Sequence, residues 1–289
     1  MTEHVTIFEM GPRDGLQNEA RMISTGDKIR LVNLLSECGF SKIETASFVS
    51  PKWVPQMADS AEVLAGIARK PGVAYTSICP NMKGYERARD AGSDGIGVFG
   101  SASEGFSRSN VNCSLEEALE RALPIVAQAK ADGIDVRGYV SCAVKCPFDG
   151  DIDPKVAAMV AKVLYEAGCY EVSLGDTIGQ GTPETITTML DAVLKVVPAE
   201  ALAGHYHDTN GRALENISVS LDKGLRVFDS SVGGLGGCPY APGAEGNVAT
   251  EGVVELAAAK GFDTGIDAGK LAEVVTFART LRSDAGEAA

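Results

Sequence analysis

Histidine is scarce in this sequence, with three residues among 289. Tryptophan occurs once, and aromatic residues make up only 6% of the chain. Basic residues are outnumbered: Lys plus Arg is 26 against 39 for Asp plus Glu, a net charge of −13. That balance argues against nucleic acid or an anionic membrane as the main partner. An anionic substrate then needs a local cation or a metal. No apolar run approaches the ~18 residues of a membrane span. No basic segment followed by an apolar one precedes Val5, so the expected location is cytoplasmic. No CxxC occurs, and the seven Cys are an odd number lying mostly in apolar stretches. Both points favour buried, reduced thiols over a disulfide framework. No Pro/Ser-rich or low-complexity stretch divides the chain, so residues 1–289 read as a single domain. The 33 Gly have no three-residue period, which excludes collagen.

What is present is a regular alternation. Strand-like runs fall at 5–10, 42–47, 74–79, 95–100, 136–142, 170–176, 202–208 and 226–233. Helical patterns lie between them. In the first, over 27–38, Thr25 is read as the N-cap and Gly39 as the stop. Ser114 with Glu117 fits a capping box. Pro154 and Pro183 each open a further helix. Others are read at 215–224 and 250–261, and one more, 271–282, follows the last unit. Eight strands recurring about every 32 residues predict an α/β protein, a (β/α)8 barrel with an additional C-terminal helix. An open doubly wound sheet is the competing topology. The tail from Ser283 is expected to fray.

In such a barrel, chemistry gathers where strands run out into βα loops. His205 and His207 stand two apart at the end of the seventh strand, on one face. Asp14, beside Arg13 in a Gly/Pro turn after strand one, can supply an oxygen. Asn247 follows the Gly-rich run 233–237 after strand eight and can supply another. Two imidazole nitrogens and two oxygens, with room for substrate oxygens, suit an octahedral Mg²⁺ or Mn²⁺ better than structural Zn²⁺. The glycines are read as a mobile lid that delivers Cys238 to the site. Glu44, with Ser47 placed on the same face, ends strand two. Asp176 ends strand six and is read as a support to the metal site through a hydrogen bond.

The stretches GPRDGLQNE, IETASFVSPKWVPQMAD, SLGDTIG, HYHDTNGRALEN and DSSVGGLGGCPYAPGAEGN resemble 3-hydroxy-3-methylglutaryl-CoA lyases, in order, from about Val5 to Phe262. RDG and HxH are shared with a wider superfamily of metal-dependent barrels. The resemblance implies a homodimeric barrel that uses Mg²⁺ or Mn²⁺. It implies cleavage of an acyl-CoA, 3-hydroxy-3-methylglutaryl-CoA, to acetyl-CoA and acetoacetate, in leucine breakdown or ketone-body formation. By motif position, Asp14, His205, His207 and Asn247 would ligate the metal. Arg13 would stabilise the enolate, and Cys238 would take part in proton transfer. Glu44 and Asp176 would support the site. Arg13, Gln17, Ser47, Arg108 and Asn110 would contact the substrate. Asp14, His205 or a metal-held water would serve as base. Departures from the family pattern fall at Ala20, Arg21, Ser109, Asn210, Arg212, Glu245 and Gly252, in loops that would meet the CoA phosphates and the acyl end. The alternatives are a sister lyase for another 3-hydroxy acyl-CoA, an acyl-CoA-dependent Claisen synthase, and a barrel that binds metal and CoA esters without turnover.

Overall fold

The computed structural model describes residues 2–238 and 241–282, with the backbone alone for 237–238 and 241–245. Eight parallel strands form a closed barrel. They are β1 (Thr6–Glu9), β2 (Lys42–Ser47), β3 (Ala74–Ile78) and β4 (Gly95–Ser101), then β5 (Asp135–Ser141), β6 (Glu171–Asp176), β7 (Leu202–Tyr206) and β8 (Val227–Ser230). Thr6 pairs with Val227 and Glu9 with Ser230, so β1 and β8 meet and the sheet has no open edge. That pairing excludes the doubly wound alternative. Most of the apolar core lies between strands and helices, where Leu31, Val126, Leu164, Leu190 and Ile217 face the outside of the sheet. Inside the barrel the apolar layer is small: Phe8, Met10, Ile78 and Tyr139, with Phe99 against them.

The helices are α1 (Thr25–Ser36), α2 (Ser60–Gly66), α3 (Met82–Asp90), α4 (Glu104–Val111) and α5 (Leu115–Ala131). After them come α6 (Pro154–Ala167), α7 (Pro183–Val193), α8 (Ala213–Asp222), α9 (Thr250–Ala259) and the extra α10 (Ala268–Arg279). The capping box of Ser114 and Glu117 forms on α5. Asp153 and Thr182 cap the two helices that Pro154 and Pro183 open. Thr25 is not the cap of α1; Ser24 is. Ser24 has extended backbone, and its hydroxyl accepts from the Asp27 amide, whereas Thr25 already lies inside the helix. The apolar periodicity did not reveal α2, α3 or α4, which have 7 to 9 residues. Nor did it reveal the small hairpin of Lys145–Cys146 with Gly150–Asp151. Elements this short are set by caps and packing rather than by a repeated apolar face. Asn81 and Ser103 supply those caps for α3 and α4. The tail from Ser283 lies outside the described residues.

Candidate metal centre

Three loops at the C-terminal ends of the strands build the centre. After β1 the chain makes one wide helical turn, Gly11–Gly15, in which the Gly15 amide reaches back to the Met10 carbonyl. Pro12 near its start presets the turn, and it holds Arg13 and Asp14 at the barrel mouth. After β7, His207 forms a bridge with Asn247. His205, still in β7, lies opposite Asp229 of β8.

Asp14, His205 and His207 offer ligand atoms that all lie within 4.8 Å of one another. The two Nε2 atoms are 3.3 Å apart. Each is 3.9 Å from Asp14 Oδ2. Three lone-pair donors that converge on one point form a site that fits a divalent cation. Asn247 donates its amide to Asp14 Oδ2 at 2.8 Å. Sequence reasoning therefore brought together four residues that are neighbours, although Asn247 presents its NH2 rather than its oxygen to the cluster.

The electrostatics keep the Asp14 carboxylate and the His207 imidazole in their unprotonated, donor forms. Burial alone would raise the Asp14 carboxyl. The Arg13 guanidinium, followed by His205 and His207, holds it well below the usual range. Burial, then the neighbouring His205, pushes His207 down to about 4, so its imidazole is neutral at pH 7. Burial disfavours charge on His205 too, but a hydrogen bond and charge from Asp229 outweigh it and raise that imidazole.

Arg13 is fixed on both sides: its Nε donates to Glu44 and its Nη1 to Asp14. Glu44 also accepts from the Tyr139 hydroxyl at 2.8 Å. Ser47 lies three residues beyond Glu44, so strict alternation would put it on the opposite face. A register irregularity between Glu44 and Ala46 supplies the missing step, and Ser47 pairs at Ile78 as Glu44 does at Thr76. Its hydroxyl accepts from the Val49 amide. Asp176 is turned towards its own loop and accepts from the Gly181 and Gln180 amides at 2.7 and 3.1 Å. Burial drives its carboxyl up to about 6 against those two amides. Gln17 is half-buried just after the β1 turn. Arg108 and Asn110 are exposed on α4, where Arg108 pairs with Glu104 at 2.6 Å rather than with the cluster. The backbone of the Gly-rich segment forms an antiparallel hairpin of Gly237–Cys238 with Ala241–Glu245. A bond from the Gly246 amide to the Gly236 carbonyl closes its base, next to Asn247. The side chain of Cys238, like residues 239 and 240, lies outside the described residues.

Sequence reasoning missed the charged layer beneath the metal cluster. Arg137, Glu171 and Asp229 are all buried within the barrel. Arg137 makes two bonds to Asp229, at 2.9 and 2.7 Å, and one to Glu171 at 2.7 Å. The signal was present, since an Arg or Asp in the middle of a barrel strand has no water to face. Glu9 was missed as well. It is fully buried, and its carboxylate receives the Gly11 amide, the Val232 amide and the Thr250 hydroxyl.

The HMGL-like family model matches residues 4–277. A Pseudomonas aeruginosa protein named 3-hydroxy-3-isohexenylglutaryl-CoA/hydroxy-methylglutaryl-CoA lyase is 55% identical over 267 residues, 92% of this chain and 89% of that protein. The solved structure of the HMG-CoA lyase from Brucella melitensis superposes with a TM-score of 0.97 at 60% identity, covering 98% of this chain and all of that one. An Acinetobacter baumannii HMG-CoA lyase, solved in complex with coenzyme A and 3-methylmalate, has a TM-score of 0.91 at 35% identity, covering 96% and 91% of the two chains.

Proposed function

The chain belongs to the HMGL-like family and is a carbon–carbon lyase of the hydroxymethylglutaryl-CoA type, and we propose that it works by metal-assisted retro-Claisen cleavage at the Asp14/His205/His207 centre. The substrate is 3-hydroxy-3-methylglutaryl-CoA and the products are acetyl-CoA and acetoacetate. The observation that carries the reading is the convergence of those three donors at the barrel mouth.

The reaction sets three tasks. The tertiary hydroxyl loses its proton. The bond between C2 and C3 breaks, leaving a ketone on one fragment and a thioester enolate on the other. The enolate carbon then takes up a proton. A divalent cation, Mg²⁺ or Mn²⁺, held by Asp14, His205, His207 and a turned Asn247 amide, would acidify and orient the hydroxyl. Arg13 places a fixed positive charge where the enolate oxygen develops charge, and Glu44 and Asp14 prevent it from swinging away. Asp14 is a poor proton acceptor, because Arg13 and the two imidazoles favour its charged form. As base it would therefore give way to a water oriented beside the cluster, because His205 spends its one lone pair, on Nε2, as a ligand. Cys238, on the hairpin beside Asn247, supplies the proton to the enolate carbon. Asp176 shapes the loop after β6 through its two amide bonds. Gln17, Ser47, Arg108 and Asn110 would line the approach of the acyl-CoA.

The test is an assay of acetoacetate release from 3-hydroxy-3-methylglutaryl-CoA, run with Mg²⁺ and with EDTA. Metal-dependent acetoacetate is expected. A protein that binds divalent metal but releases no acetoacetate would overturn the substrate. A second reading, a longer branched acyl chain, has the double name of the Pseudomonas relative in its favour. Competition between the two acyl-CoAs for one pool of enzyme distinguishes them. The reading extends to a homodimer in a reducing, cytoplasm-like compartment, in keeping with six buried free thiols among the described residues.

A further inference from the structure

The charged layer under the metal cluster is expensive to bury and does no chemistry on a substrate itself. Its geometry points upwards. Asp229 is fully shielded from solvent and receives three kinds of donor. Arg137 grips it through Nη1 and Nη2 at 2.9 and 2.7 Å. The Ser173 hydroxyl donates to Oδ2 at 2.9 Å. His205 Nδ1 lies 3.0 Å from the same Oδ2. Asp229 and His205 are register partners on adjacent strands, so their approach is fixed by the sheet rather than by a loop. The other side of the Arg137 guanidinium is fixed in turn by Glu171. It also lies over the Phe8 ring, 4.5 Å from the centroid.

A neutral imidazole carries one proton and one lone pair, on different nitrogens. A carboxylate has no proton to give. It can face His205 Nδ1 only by accepting, so Nδ1 keeps the proton and Nε2 keeps the lone pair. Nε2 is the atom that faces His207 Nε2 and Asp14 Oδ2. We propose that Asp229, clamped by Arg137, is the positioning carboxylate of the metal centre: it fixes the tautomer and ring direction of His205 so that Nε2 is presented to the cation. The proposal deepens the metal-centre reading above and rests on it. His207 offers the contrast. Its Nδ1 is buried without a hydrogen-bond partner among the described residues, so the sheet fixes the tautomer of one ligand and leaves the other unconstrained.

Arg137 has a second branch. Its Nη1 donates to the Tyr139 hydroxyl at 3.0 Å, and that hydroxyl donates to Glu44, which holds Arg13. One guanidinium thus anchors the metal ligand and the cation for the enolate. Room for this branch comes from Gly97, where a Cβ would lie 2.7 Å from the Tyr139 ring.

The test needs no turnover. The full chain is freed of metal with EDTA and its His ring nitrogens are labelled with ¹⁵N. Three His give a spectrum simple enough to assign with His4 and His207 variants. At a pH where His205 is neutral, its proton is expected on Nδ1 in the wild type. Finding it on Nε2 would overturn the proposal without any variant having to fold. In Asp229→Asn, Arg137 keeps the amide oxygen and the NH2 turns to His205. The tautomer is then expected to switch, and Mn²⁺ affinity, read from the free-ion EPR signal, to fall by about 10- to 100-fold. Tyr139→Phe cuts only the Glu44 branch, and its Mn²⁺ affinity is expected within about two-fold of wild type. Equal losses in both variants would mean general loosening and would overturn the proposal, as would an Asp229→Asn protein that binds Mn²⁺ like wild type. A wild type that fails to bind Mn²⁺ at all would instead overturn the metal-centre reading, and the proposal with it.

Discussion

Glu9 shows how one buried carboxyl makes the whole protein sensitive to pH. Burial pushes it up to about 7 from 4.5, against the Thr250 hydroxyl and the Val232 and Gly11 amides. The folded state therefore binds more protons than the unfolded chain between about pH 4.5 and 7, and stability falls as pH rises through that window. The span corresponds to a contribution on the order of 3 kcal/mol, present at pH 4 and gone by pH 8. Glu9→Gln copies the protonated acid, with an oxygen for the two amides and an NH2 for Thr250. It is expected to match wild type in melting temperature at pH 5 and to exceed it by several degrees at pH 8. Melting curves at the two pH values check this, and a difference that does not change with pH would contradict it. At the same scale, Cys238→Ala is expected to lower turnover by at least about 100-fold, as loss of a general acid does. Mn²⁺ affinity in that variant should remain at the wild-type value, because Cys238 is not one of the four ligands proposed for the cation. Metal titration beside the acetoacetate assay separates the two effects.

At the scale of elements, the long helices could be read from the sequence and the short ones could not. Over α5, α6 and α7, 11 to 17 residues repeat an apolar face, and Ser or Pro marks the start. Only 7 to 9 residues form α2, α3 and α4, too few for a periodicity to stand out. The sequence points to Gly39 as the stop of α1, but the helix ends at Ser36 with Glu37 as its cap, and Gly39 turns the chain two residues later. It has φ of +104°, and a Cβ there would lie 2.3 Å from the Gly265 carbonyl oxygen on the segment leading to α10. Gly39→Ala is expected to destabilise the protein by about 2 kcal/mol, combining backbone strain with a clash against main chain. The melting temperature would fall by about 5 °C. An unchanged melting point would mean that the α1–α10 seam yields more easily than its packing indicates.

For the molecule as a whole, eight regularly spaced strands sufficed to read the barrel, and polar residues at strand ends led to the face that carries the Asp14, His205 and His207 cluster. HxH and RDG lie far apart in sequence, yet the order of strands put them together. The mid-strand positions of Arg137 and Asp229 marked each as buried, but their pairing stayed hidden because a side chain's partner across a barrel depends on register, and one sequence carries no register. Metal binding is the property of the whole that is simplest to weigh. A cation that binds only the folded state stabilises it by about 2.7 kcal/mol at 100 times its dissociation constant. Mn²⁺ is expected to raise the melting temperature by several degrees over the EDTA value, with His207→Ala showing little or none of that rise. Scanning calorimetry with and without the ion checks both.

Closure also sets an order of events in synthesis. Four residues of β1 pair with β8, but only Phe8 and Glu9 pair with β2. The first barrel strand thus has its longer set of partners in the last barrel strand to be made. Contacts so distant along the chain form slowly. Until Val227 emerges, the nascent sheet has two open flanks, on β1 and on its newest strand, and neither can rest against the other.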